Sequence, residues 1–180
     1  MSINQNITFR PLNIAVLTVS DTRTEENDTS GDLLVSRLTE SGHTLSERKI
    51  VRDNVELIAH QFREWIKRTD VDVILSTGGT GLTGRDVTPE ALKQVTEKEI
   101  PGFGELFRWL SYQKIGTSTV QSRADAAVSN GTYIFILPGS TSACRDGWDQ
   151  ILNDQLDIRH RPCNFAELIP RLTEKNIDNS

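Results

Sequence analysis

The amino-acid sequence predicts an α/β fold built on a mainly parallel sheet covered by helices on both faces. Three observations carry that expectation. Short apolar runs rich in β-branched residues recur along the chain, stretches with helical apolar spacing separate them, and several runs are apolar enough to sit in the middle of a sheet. Strands that alternate with helices run parallel, because each helix returns the chain to the same end of the sheet.

The elements follow in order. "LNIAVLTVS" (12–20) reads as the first strand. The acidic loop "DTRTEENDTSG" separates it from "DLLVSRLTESG", whose apolar spacing is helical and ends at Gly42. "TLSERKIV" reads as a half-exposed strand, and "DNVELIAHQFREWIKRTD" places Val55, Ile58, Ala59, Phe62, Trp65 and Ile66 on one helical face. "VDVILST" is a central strand. Helical patterns follow at 89–99, 102–112 and 118–128. "TYIFILPG" is the last clear strand, and a helix over 142–156 lies behind it. We therefore expect a flexible segment over 1–11, one domain over 12–170 and a polar tail over 171–180, whose end "TEKNIDNS" frays.

Composition narrows the function. The chain has 180 residues and 36% hydrophobic content, enough for one core and too little for two domains. Cys144 and Cys163 are too few for a disulfide framework and lack zinc spacing. With 20 basic and 25 acidic residues, a net charge of −5 and no basic block, a nucleic-acid groove is not expected. Nor is a membrane span or an export signal, so the expected location is the cytoplasm. His43, His60 and His160 are scattered and read as surface or packing residues, while Trp65, Trp109 and Trp148 fall on helical faces.

In such sheets ligands collect at the carboxyl ends of the strands. The loops there begin at Ser20, run over 77–88 and run over 138–142. The middle one, "TGGTGLTGRDVTPE", has four glycines in seven residues and then a carboxylate. It matches the dinucleotide fingerprint in letters, but the helix start at Thr88-Pro89 comes too late. It also misses a Walker A loop, because Arg85 and Asp86 replace the lysine and the hydroxyl. What remains is bare backbone whose N–H groups can approach phosphate, or a tight turn with Thr88 as N-cap and Pro89 at the first helical position. A carboxylate beside a phosphate loop repels its ligand unless a cation intervenes, which makes Asp86 a candidate magnesium ligand. Asp53, with Glu56 three residues on, fits a capping box, yet it also projects from a strand's carboxyl end, as Asp21 does.

The segments "TVSD", "STGGTGLTGRDVTPEAL", "PGFGELFR", "GTSTVQSRA" and "LPGSTSACRDGW" resemble, in order and spacing, the MoaB/MogA family of molybdenum cofactor biosynthesis. The similarity runs over 12–165, and the end "RPCNF" resembles the B-type branch. The resemblance implies a three-layer αβα sandwich that binds molybdopterin and assembles as trimers or hexamers, with other molybdenum cofactor biosynthesis proteins as further candidate partners. It implies transfer of AMP from ATP to the terminal phosphate of molybdopterin, with Mg2+ held by Asp53 and Asp86. Gly78, Gly79, Thr80 and Gly81 are then candidate phosphate contacts, Ser20 and Asp21 are further candidate cofactor-binding residues, and Ser118, Ser122, Arg123, Pro138, Gly139 and Ser140 are candidates for the pterin end. Two rivals stand beside this reading: a B-type carrier that binds molybdopterin or a nucleotide such as GTP without turnover, and a dinucleotide oxidoreductase, against which the late helix start argues.

Overall fold

The computed structural model describes residues 2–174. In chain order, strand β1 (Ser2–Ile3) precedes β2 (Asn13–Val19), helix α1 (Thr29–Glu40), β3 (Thr44–Val51), α2 (Val55–Ile66) and β4 (Val73–Thr77). Next come α3 (Thr88–Lys93), β5 (Lys98–Glu99), α4 (Pro101–Ile115), a 3-10 turn (Gly116–Gln121), β6 (Asp125–Ser129) and β7 (Thr132–Leu137). The chain closes with α5 (Thr141–Gly147), a π segment (Trp148–Leu152), α6 (Asn153–Gln155), β8 (His160–Arg161) and α7 (Phe165–Leu168).

Six strands form the main sheet in the order β3-β2-β4-β7-β6-β5. The pairs β3-β2, β2-β4 and β4-β7 are parallel, whereas β6 runs antiparallel to both β7 and β5. Alternate residues of each central strand feed opposite faces, as the two-residue repeat of a strand requires. Val16, Leu75 and Phe135 pack under α1, α4 and α5 with Leu34, Phe107 and Trp148. Leu17, Ile74 and Ile134 pack under α2 and α3 with Phe62, Trp65 and Leu92. The result is a three-layer αβα sandwich.

Five local expectations are corrected. Residues 118–128 are not a helix: the 3-10 turn ends at Gln121, and β6 follows it into a hairpin. The cause is Asn130-Gly131, both at positive φ (44° and 82°), the backbone that joins two strands in two residues. The 89–99 helix stops at Lys93, and Lys98 and Glu99 pair instead with Val128 and Ala127. Asn54, not Asp53, caps α2, accepting the Leu57 N–H at 3.1 Å. Thr88 does not cap α3; its hydroxyl donates to the Gly78 carbonyl at 2.8 Å. The segment ahead of Leu12, expected to be flexible, carries β1 paired with β8 and Arg10 bonded to the Ala166 carbonyl at 2.6 Å. The last residues of the expected fraying tail, 175–180, lie outside the described residues. Among the described residues no helix is long and apolar enough to cross a membrane.

The topology sets the site. From β2 the chain crosses by α1 to β3 on one side, then by α2 to β4 on the other side. The loops after β2 and β4 therefore part at the carboxyl end of the sheet, the place where open α/β sheets leave a crevice.

Candidate functional site

A cavity of about 430 Å³ occupies that crevice. Of the residues singled out in the sequence, Ser20, Gly78, Gly79, Thr80, Gly81, Asp86, Ser118, Ser122, Pro138, Gly139 and Ser140 line it. Three loops thus converge as the strand order demands, and the 3-10 turn closes the far wall.

The glycines at the end of β4 are there for close packing as much as for a ligand. Gly78 has φ +103°, and a Cβ on it would lie 2.1 Å from the Val19 carbonyl oxygen, so β2 and the loop approach to a distance only glycine permits. Its N–H is spent on the Leu137 carbonyl at 3.0 Å, so Gly78 supports the cradle and does not donate to it. Gly79 has φ +65°, and its N–H and that of Thr80 have no protein acceptor among the described residues. They are donors available to an anion in the cavity.

Three carboxylates surround this loop. A Cβ at Gly79 would meet Asp53 Oδ1 at 3.2 Å, and one at Gly81 would meet Asp86 Oδ2 at 2.7 Å, so both carboxylates press on the same short stretch of backbone. Asp86 Oδ2 accepts the Thr83 N–H at 2.8 Å and the Thr83 hydroxyl at 2.7 Å. Burial works to raise the Asp86 carboxyl, but the Thr83 hydroxyl and N–H, the Gly81 N–H and the Arg123 charge outweigh it and hold it below the ordinary range. Asp53 behaves in the opposite way. Burial first, then the neighbouring charge of Asp21 and the weaker charge of Asp86, push it up, and among the described residues no side chain donates to it. Asp21 is held low by its bond to Arg85, and neither Asp21 nor Asp53 lines the cavity; Asp53 reaches the loop from behind Gly79.

Among the described residues no group of three or more His, Cys, Asp or Glu forms a metal site by itself. Magnesium does not require one: it keeps several waters and takes one or two carboxylates together with substrate phosphates. Two carboxylates beside free backbone donors fit that donor set.

Arg123 corrects an expectation. It does not line the cavity; Nε donates to the Gly81 carbonyl at 2.8 Å and Nη2 to the Asp86 carbonyl at 2.6 Å, while Nη1 pairs with Glu90. Its guanidinium ties the two ends of the glycine loop together. Ser118 sits inside the 3-10 turn and caps nothing; Ser140 caps α5, accepting the Ala143 N–H at 3.2 Å, and its hydroxyl lies 3.4 Å from that of Ser142.

Sequence reasoning missed Arg23, Ser30, Phe107, Ser111 and Ile115 in the lining. The last three stand four residues apart on α4, so one helical stripe runs from core into cavity, and that spacing was the signal available. Cys144 lies under the floor, bonded to the Thr77 hydroxyl at 3.0 Å, and burial pushes its thiol up to about 11. It is a packing residue, not a nucleophile.

The comparisons with known proteins agree with this architecture. Residues 15–158 match the family described as "Probable molybdopterin binding domain". The chain belongs to that family. It is 54% identical over 157 residues to molybdenum cofactor biosynthesis protein B of Escherichia coli strain K12, covering 87% of this chain and 92% of the relative. A crystal structure of a molybdenum cofactor biosynthesis protein B superposes with a TM-score of 0.82 at 39% identity, over 91% of this chain and 96% of that one. The tungsten cofactor synthesizing protein MoaB of Pyrococcus furiosus superposes with a TM-score of 0.73 at 36% identity, over 81% and 92%.

Proposed function

We propose that this molybdenum cofactor biosynthesis protein binds molybdopterin and, with Mg-ATP, adenylylates its terminal phosphate. The observation that carries the reading is the meeting of Asp53 and Asp86 on a glycine loop that offers the Gly79 and Thr80 N–H groups to an anion.

An oxygen of the molybdopterin phosphate attacks the α-phosphorus of ATP. The bond from that phosphorus to the bridging oxygen of the β-phosphate breaks, and pyrophosphate departs with the electron pair. The nucleophile is already an anion at neutral pH, so no base has to take a proton, in keeping with the inert Cys144. The chemistry instead demands positioning and neutralisation of two polyanions. Asp53 and Asp86 would hold magnesium, which would supply part of that neutralisation. Gly79 and Thr80 orient the accepting phosphate, and Ser118, Ser122 and Ser140 line the wall open to the pterin end.

The test is pyrophosphate release from ATP, magnesium and molybdopterin, run in parallel with GTP. Release that needs all three supports adenylylation. Tight molybdopterin or GTP binding with no release overturns it in favour of a carrier.

A further inference from the structure

Beside the cavity opens a second recess of about 630 Å³, and the two share Ser20 and Arg23. The end of β3 walls it on one side and the loop after β2 on the other. Six charged side chains line it: Asp21, Arg23, Glu25, Arg48, Lys49 and Arg52.

Their partners sort them. Asp21 is paired with Arg85, Arg48 with Asp28 and Asp32, and Lys49 with Glu47, whereas Glu25, on the loop after β2, has no cationic partner among the described residues. Among the described residues Arg23 and Arg52 have no carboxylate within ion-pair distance; Arg23 gives Nη1 to the Asn27 carbonyl at 2.7 Å. Two guanidiniums therefore keep most of their five donors each for something outside the chain. Asp21 lines the recess and Asp86 the cavity, while Asp53 packs against Gly79 and lines neither.

We propose, on the adenylylation reading above, that this recess receives the β- and γ-phosphates of the nucleoside triphosphate, with Arg23 and Arg52 binding the departing pyrophosphate. An in-line displacement places nucleophile and leaving group on opposite sides of the transferred phosphorus. The glycine cavity takes the nucleophile, and the recess that meets it at Ser20 and Arg23 takes the leaving group. An acidic centre repels a polyphosphate, so its tail needs cations of its own: Arg23 stands where cavity and recess meet, and Arg52 lines the recess alone. The planar guanidinium fork matches two phosphate oxygens at once.

Titration calorimetry with inorganic pyrophosphate and magnesium, without molybdopterin, tests the assignment. Arg23→Gln and Arg52→Gln should each weaken pyrophosphate binding about tenfold, and the pair more, while Arg52→Gln, at a residue outside the glycine cavity, should leave the molybdopterin Kd within a factor of two. Lys67→Gln removes one positive charge from the exposed end of α2 and should change nothing, which controls for net charge. Arg23→Lys keeps the charge and should restore part of the affinity, separating charge loss from loop disorder. A folded double variant that binds pyrophosphate as the wild type does overturns the inference, as does a wild type that binds none. If the wild type binds pyrophosphate through both arginines yet releases none from ATP, the adenylylation reading fails and the pyrophosphate site stands.

Discussion

Arg123→Ala removes three interactions that close the glycine loop: the bonds to the Gly81 and Asp86 carbonyls and the ion pair with Glu90. The guanidinium side chain is 30% exposed and Glu90 47% exposed, so the ion pair itself contributes little. Each carbonyl bond has a charged donor and is worth about 1.5–3 kcal/mol when dry. Discounted for solvent access, the two together come to about 2–3 kcal/mol. For a domain of this size that lowers Tm by about 4–12 °C. Asp86 is then free to drift from the cavity, and kcat for adenylylation should fall at least about tenfold, with little change in the molybdopterin Kd. Glu90→Gln deletes only the exposed ion pair and should leave Tm and turnover near wild type. Thermal melting, single-turnover kinetics and molybdopterin titration on one preparation decide the matter. An Arg123→Ala protein with unchanged Tm and a much weaker molybdopterin Kd would mean that the guanidinium reads the ligand directly, and the clamp argument would be wrong.

Other outcomes follow from the same geometry. Gly79→Ala places a Cβ 2.4 Å from Thr88 Oγ1 at φ +65°, so melting should show lost stability and titration at least tenfold weaker phosphate binding; an unchanged variant would reduce the loop to a turn. Asp53→Asn and Asp86→Asn keep shape and remove charge, so turnover should drop at least about a hundredfold with molybdopterin affinity nearly intact, and wild-type turnover in either would sink the proposed mechanism. His43 Nδ1 accepts the Leu12 N–H at 3.1 Å, and burial holds the folded pKa below the ordinary value of about 6.5 despite the charges of Asp157 and Asp72. The unfolded chain then binds the extra proton first, so this stability is complete above pH 6.5 and lost as pH falls through the folded value; Tm scans of wild type and His43→Gln should differ in slope over that window. Trp109, Tyr112 and Ile115 are exposed along α4, and self-association through that face should make the protein oligomeric by light scattering and Trp109→Asp monomeric at micromolar concentration.

Much of the fold was legible because its signals are local and repeated. The face of α2 read from Val55 to Ile66 is the face that packs, and four parallel strands emerge from three apolar runs and the half-exposed "TLSERKIV". Where the reading failed, two local signals competed. Residues 118–128 have tolerable helical spacing, but Asn130-Gly131 supplies the hairpin backbone and turns the second half of that stretch into β6. Asp53 and Asn54 are both good caps, and which one caps depends on where the strand before them releases the chain. Asn54 took the Leu57 N–H and left Asp53 facing Gly79.

The site shows the limit more sharply. That the glycine loop, Ser20 and the Pro138 loop meet follows from topology alone, since all three leave the same edge of one parallel sheet. Which side chain touches ligand and which only braces the loop does not follow. Arg123 finds its partners 42, 37 and 33 positions away, and each is a backbone carbonyl or an acid whose direction depends on how the loop has already folded. A guanidinium is five donors on a long stem, and nothing in its own neighbours "TVQSRADA" separates a phosphate partner from a carbonyl partner. Arg23 and Arg52 show the converse: they stand out only once Asp21, Arg48 and Lys49 around them are seen to be paired. Positions near a strand end are therefore readable as a site from sequence, while the division of labour among its charges is settled by pairing, which is a property of the folded chain.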